Sequence, residues 1–225
     1  MKKLLAAIIA AALLLSGCSL SSRPAVSAPP AETPSTSPTP IVTPTPAPEP
    51  SDDELVLVRD YIPGIFIDLK YATTDNFTGQ VIYDSDEAYL RYGTVKKLLA
   101  AQNELSGRGL SLKIWDAYRP VSAQFKLWEI CPNPVYVSDP NNGYSKHSRA
   151  NTVDITLVTS TGESIPMPSG FDDFTSLADR DYSDVSAEAA ENARLLENVM
   201  VENGFVPYSG EWWHYSDSVS YDVYE

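Results

Sequence analysis

The body of the chain alternates between two hydrophobic periods. Leu55-Val56-Leu57-Val58 and Ile65-Phe66-Ile67-Asp68-Leu69 are aliphatic and β-branched runs bounded by Asp60 and Pro63-Gly64, which predicts two strands flanking a turn. From Thr94 to Leu105 the spacing changes. Val95, Leu98, Leu99, Gln102 and Leu105 recur at helical intervals, and Gly107 and Gly109 end the pattern. Leu110 to Trp115 alternates again, as a strand does, and Pro120 suits the first turn of a second helix running to about Trp128. Val153 to Val158 predicts another strand, and Ser186 to Asn203 a long helix stopped by Gly204. Phe205-Val206-Pro207 and Glu211 to Tyr215, separated by Ser209-Gly210, predict a closing hairpin. This order gives an α+β fold: a single domain over residues 54–225, with a small, mainly antiparallel sheet flanked by helices.

The N-terminal quarter follows different rules. Met1-Lys2-Lys3 is positive, Leu4 to Leu15 is an apolar run shorter than the about 20 residues of a spanning helix, and Leu15-Ser16-Gly17-Cys18 follows. Residues 1–17 therefore read as a signal peptide. The tetrapeptide resembles the lipobox of bacterial lipoproteins, which implies lipid on Cys18 and an extracytoplasmic, membrane-anchored protein. Residues 18–53 are dominated by Ser, Pro, Thr and Ala, with runs such as Thr43-Pro44-Thr45-Pro46, and form no core; an extended disordered spacer is expected.

The chain has two cysteines. With Cys18 lipidated, Cys131 has no partner within the chain, and its Trp-Glu-Ile-Cys-Pro setting suits a small packed residue. A formal net charge of −14 excludes phosphate-backbone recognition, so no nucleic-acid partner is expected. No protein partner is inferred, and membrane contact is expected through the lipid alone.

The chain's two histidines both fall in dense polar motifs. The first is Ser145-Lys146-His147-Ser148-Arg149-Ala150-Asn151-Thr152-Val153-Asp154, the second Glu211-Trp212-Trp213-His214-Tyr215. Two imidazoles and a carboxylate suit catalytic Zn²⁺, which takes three protein ligands and leaves a position open for water. Glu211, three residues before His214, then suits a general base that takes a proton from that water and passes it to the leaving amine. Spacing alone leaves a second reading open, in which the histidines are packed and the tryptophans are edge-strand core.

These motifs resemble those of the bacterial zinc D-alanyl-D-alanine dipeptidases (VanX-type), within the wider zinc D,D-peptidases. That family carries a Ser-x-His-x-x-Gly-x-x-x-Asp segment and a Glu-x-x-His segment. The resemblance extends to Tyr71-Ala72-Thr73-Thr74-Asp75-Asn76-Phe77-Thr78-Gly79, to Trp115-Asp116-Ala117-Tyr118-Arg119-Pro120 and to Glu202-Asn203-Gly204-Phe205, so it covers nearly the whole body. It implies the zinc D,D-peptidase, or Hedgehog-like, fold. It also implies one Zn²⁺ per chain on His147, Asp154 and His214, with Glu211 as base and Arg119 stabilising charge on the scissile carbonyl. Met167 to Phe174 is similar to a family segment near the substrate, which implies that Asp172 meets the ammonium group of a dipeptide. Tyr71 and Ser145 are assigned to the same pocket.

The implied reaction is hydrolysis of D-alanyl-D-alanine to two D-alanines in cell-wall peptide turnover. The alternatives are a D,D-carboxypeptidase trimming the terminal D-alanine of peptidoglycan peptides, and a non-catalytic lipoprotein that binds wall fragments. Glu211-Trp212-Trp213-His214 resembles the dipeptidase branch, whereas the carboxypeptidases more often show Glu-Pro-Trp-His. One departure stands out: Ala150 replaces the family glycine. If that glycine serves a positive φ, alanine strains the loop by about 1 kcal/mol.

Overall fold

The computed structural model describes residues 48–224. The expected signal peptide, the lipidated Cys18 and most of the spacer lie outside the described residues.

The long periodic segments fold as their spacing predicts. Helix α2 spans Tyr92–Ser106 and α4 spans Ala187–Glu202, with the Ser186 hydroxyl accepting the Ala189 amide at 3.1 Å as an N-cap. α2 buries Val95, Leu98, Ala101 and Leu105, and α4 buries Ala193, Leu196, Val199 and Met200. The two helices pack on each other and on the sheet. Gln102 is polar at a buried α2 position because its amide bridges to strand β4 (Leu110–Asp116), accepting from Leu112 N at 2.8 Å and donating to Ser111 Oγ at 3.0 Å. Helix α3, Val121–Ile130, starts directly after Pro120.

The main sheet has five strands in the order β2 (Phe66–Ile67), β4 (Leu110–Asp116), β5 (Thr152–Thr159), β7 (Glu211–Asp217), β6 (Phe205–Tyr208). Its pairings are antiparallel except β2–β4, which is parallel. This bears out the α+β class and the mainly antiparallel sheet.

Two local expectations change. Leu55 to Val58 forms only a three-residue strand β1, Leu55–Leu57, because Val58 opens a short helix, α1, Val58–Tyr61. β1 and β2 do not share a sheet: β1 pairs antiparallel with β3, Tyr89–Arg91, a strand the sequence pattern did not predict. The burial of Val58 and Ile62 against the core outweighs the β-propensity of the Leu-Val-Leu-Val run. Cys131 caps α3 as a free, partly buried thiol packed against the core.

The register across the central strands decides where the chemistry lies. Asp116 on β4, Asp154 on β5 and His214 on β7 are successive cross-strand partners. One row across the sheet thus carries two carboxylates and an imidazole.

Candidate metal centre and active site

His147 reaches that row from a 3₁₀ turn, Lys146–Arg149, that enters β5. Ser145 caps the turn, its hydroxyl accepting the His147 amide at 3.3 Å. The sequence assigned Ser145 to the substrate pocket; the structure shows it shaping the loop that carries His147. Ala150 closes the turn at φ 57°, ψ 28°, the left-handed region expected for the family glycine, and is fully buried.

The donor atoms of His147, Asp154 and His214 all lie within 4.8 Å of one another. His147 Nε2 is 3.3 Å from Asp154 Oδ2 and 3.3 Å from His214 Nδ1, which is 2.9 Å from Asp154 Oδ1. The chemistry of this set fits a metal. His147 Nδ1 is 2.9 Å from the Ala117 carbonyl, which only accepts, so in the neutral ring Nδ1 carries the proton and Nε2 presents its lone pair to the cluster. Two buried imidazole nitrogens facing each other beside a carboxylate form an open donor set, two nitrogens and one oxygen, of the kind that holds catalytic zinc.

The charges follow from this crowding. Burial alone would raise the Asp154 pKa, but the two imidazoles outweigh it and hold the carboxyl well below the usual range. Burial pulls His147 down, yet the charges of Asp154 and Asp116 raise it above an ordinary histidine. His214 is lowered, chiefly by burial.

Glu211 stands at the edge of the ligand set, its Oε2 3.5 Å from His214 Nδ1 and its side chain 36% exposed. Burial, then the negative charges of Asp154 and Asp172, push its carboxyl up to about 7. That is where a general base working near neutral pH is most effective.

Arg119 lies at the junction of β4 and α3. Asp116 Oδ2 accepts from its Nε at 3.1 Å and Nη2 at 2.6 Å, and Gln124 Oε1 accepts from Nη1 at 3.0 Å. These bonds hold the guanidinium fixed between Asp116 and Gln124. Its positive charge offsets part of the rise at Glu211 and Asp172. Asp116 is fully buried and also accepts from the Tyr83 hydroxyl. Nothing in the sequence pointed to Tyr83 or Gln124 as partners of this pair.

Asp172 and Tyr71 meet beside Arg119. The Tyr71 hydroxyl donates to Asp172 Oδ2 at 2.7 Å, and the Arg119 guanidinium lies 5.1 Å from the centroid of the Tyr71 ring. Asp172 has φ 53°, a left-handed conformation that aims a short side chain out of its loop. Burial pushes its carboxyl up to about 7. Behind it Phe171 packs on Tyr71, Trp115 and Trp213, and Trp115 packs on Trp212, so both tryptophans belong to the buried aromatic cluster next to Asp172.

Convergent donors, an adjacent carboxylate and a fixed guanidinium, gathered around one row of the sheet, fit one class: a metal-dependent hydrolase. The sequence matches the M15 peptidase family, described as D-ala-D-ala dipeptidase, over residues 51–222, and the chain belongs to this metallopeptidase family. It is 39% identical over 162 residues to the D-alanyl-D-alanine dipeptidase of Escherichia coli (strain K12), covering 72% of this chain and 83% of that protein. It is 35% identical over 174 residues to the D-alanyl-D-alanine dipeptidase of Enterococcus faecium, covering 68% and 86%. With the enzyme of the same name from Streptomyces coelicolor it shares 36% over 187 residues, 72% and 91% of the two chains.

Proposed function

We propose that this chain hydrolyses D-alanyl-D-alanine to two D-alanines with one zinc ion, held by His147, Asp154 and His214. The observation that carries the reading is the convergence of those three donors beside Glu211. The substrate follows from the activity for which the relatives are named.

Zinc in that set supplies a Lewis acid and an acidified water at neutral pH. The chain's own residues do the rest. Ionised Glu211 takes a proton as water adds to the peptide carbonyl carbon, and returns it to the nitrogen as the C–N bond breaks. Arg119 stabilises negative charge growing on the carbonyl oxygen, held in place by Asp116 and Gln124. Asp172, supported by the Tyr71 hydroxyl, receives the ammonium group of the dipeptide and suits a short substrate with a free amine. The Trp115, Phe171 and Trp212 rings shield this chemistry from bulk water.

We assign the protein to the outer face of the membrane, with Cys18 lipidated and the Pro-rich segment as spacer, where the substrate would come from wall peptide turnover. The activity test is release of D-alanine from D-alanyl-D-alanine by the zinc-loaded protein, with metal-free protein and Glu211→Gln as comparisons. Zinc-dependent release lost in the variant supports the reading; no release from the dipeptide, with release from a pentapeptide, replaces it by the carboxypeptidase. Dipeptide binding without turnover of either peptide leaves the wall-fragment binder.

A further inference from the structure

β6 and β7 form a hairpin whose register shifts between Pro207 and Tyr208. Pro207 is opposite Tyr215, but Tyr208 is opposite Glu211, so His214 has no partner residue on β6. The hairpin that carries both a metal ligand and the base is irregular on its outer side.

Arg180 fills the gap. It comes from the loop before α4, and its side chain is only 10% exposed. Nη2 donates to the His214 carbonyl at 3.1 Å, and Nε donates to the Tyr208 carbonyl at 2.7 Å. Nη1 bonds Glu197 Oε2 on α4 at 3.0 Å and the Tyr215 hydroxyl at 3.1 Å. The guanidinium also lies 4.5 Å from the centroid of the Tyr215 ring. Tyr208 in turn packs its ring edge-on to the His214 imidazole, with centroids 5.8 Å apart. One planar fork thus ties both strands of the hairpin to the helix behind them. A lysine, with a single compact ammonium on a flexible stem, cannot reproduce these directions at once.

We infer that Arg180 is a positioning residue for the metal centre: it holds the His214 main chain, and through Tyr208 its ring, where Nδ1 meets His147 and Asp154. The inference rests on the metal reading proposed above. Partners that orient ligands are worth about 10- to 100-fold in metal affinity when lost, and the same scale applies to Arg180.

The test uses the full chain and three proteins: wild type, Arg180→Lys and Glu197→Gln. Lysine keeps a charge for Glu197 but gives up the fork; glutamine removes the ion pair but leaves both carbonyl contacts. Zn²⁺ dissociation constants come from chelator competition, geometry from the visible spectrum of the Co²⁺-loaded protein, and folding from thermal unfolding. Arg180→Lys is expected to bind Zn²⁺ about 10- to 100-fold more weakly with an altered Co²⁺ spectrum, while Glu197→Gln keeps wild-type affinity and spectrum. Wild-type affinity and spectrum in Arg180→Lys overturn the inference. Should Arg180→Lys fail to fold, Arg180→Gln takes its place: its amide cannot donate to both carbonyls, so weaker Zn²⁺ binding with an altered Co²⁺ spectrum supports the inference, and wild-type affinity and spectrum overturn it. Failure of the wild type to bind Zn²⁺ sinks the metal reading itself.

Discussion

The Tyr71 hydroxyl donates to Asp172 across 2.7 Å, joining residues 101 positions apart in the chain. The carboxyl is nonetheless pushed up to about 7, so burial costs its ionised form more than this hydrogen bond returns. Between the ordinary aspartate value of 3.8 and about 7 the native protein binds more protons at this site than the unfolded chain. The stability contributed by the neutral form is full below the lower value and lost as pH rises through the upper. Asp172→Asn removes this dependence. In metal-free protein, urea unfolding from pH 4 to pH 8 should show the wild type losing a few kcal/mol relative to the variant, with the difference flat above about pH 8.

Glu211→Gln keeps the size of the side chain and removes the base. Turnover of D-alanyl-D-alanine should fall by about 10²- to 10⁴-fold. Zinc content should stay at wild-type level, because the glutamate lies outside the ligand set. Parallel measurement of kcat and bound metal checks both parts; equal loss of zinc and activity would make Glu211 a ligand instead.

Metal binding should release protons. His147 sits above the ordinary histidine value in the metal-free site, and an imidazolium cannot ligate, so a proton must leave before zinc enters. The competing proton is present below the raised pKa and gone above it. Apparent zinc affinity should therefore weaken as pH falls, by about tenfold per unit for one coupled proton. Calorimetric titration in buffers of different ionisation enthalpy at pH 6 and pH 8 should find more proton release at the lower pH. Chelation should also lower the melting temperature, since zinc binds the folded site alone.

Ala150 shows how much side chain a left-handed position tolerates. A methyl group there costs about 1–2 kcal/mol against glycine, but it is fully buried and so regains part of that. Ala150→Gly should change unfolding free energy by no more than about 1 kcal/mol in either direction. Ala150→Val adds a β-branched side chain to a closed pocket and should destabilise by about 2 kcal/mol or more, with weaker zinc binding because His147 sits in the same turn. Urea midpoints and zinc titrations of both variants test this.

The main elements and the site were legible for identifiable reasons. α2, α4, β4, β5 and the closing hairpin are long enough for a period to show, and their end signals, such as the Ser186 cap, are local. The ligand residues stood out because both histidines lie in polar, aromatic-rich motifs. What escaped depends on distant partners. β3 is three residues long and exists through its pairing with β1. Arg180 sits in an acidic loop whose sequence says nothing of the His214 carbonyl, and the capping of the His147 turn by Ser145 shows only in the folded chain.

Asp154 and His214 face each other only because β5 and β7 pair in one register. A slip of one residue turns every side chain of β7 to the opposite face and sets Trp213 or Tyr215 beside Asp154, where neither offers a nitrogen lone pair. A chain closed in the wrong register would be compact yet unable to retain the ion. On the proposed metal reading, occupancy then marks the molecules whose central strands have locked into the correct alignment.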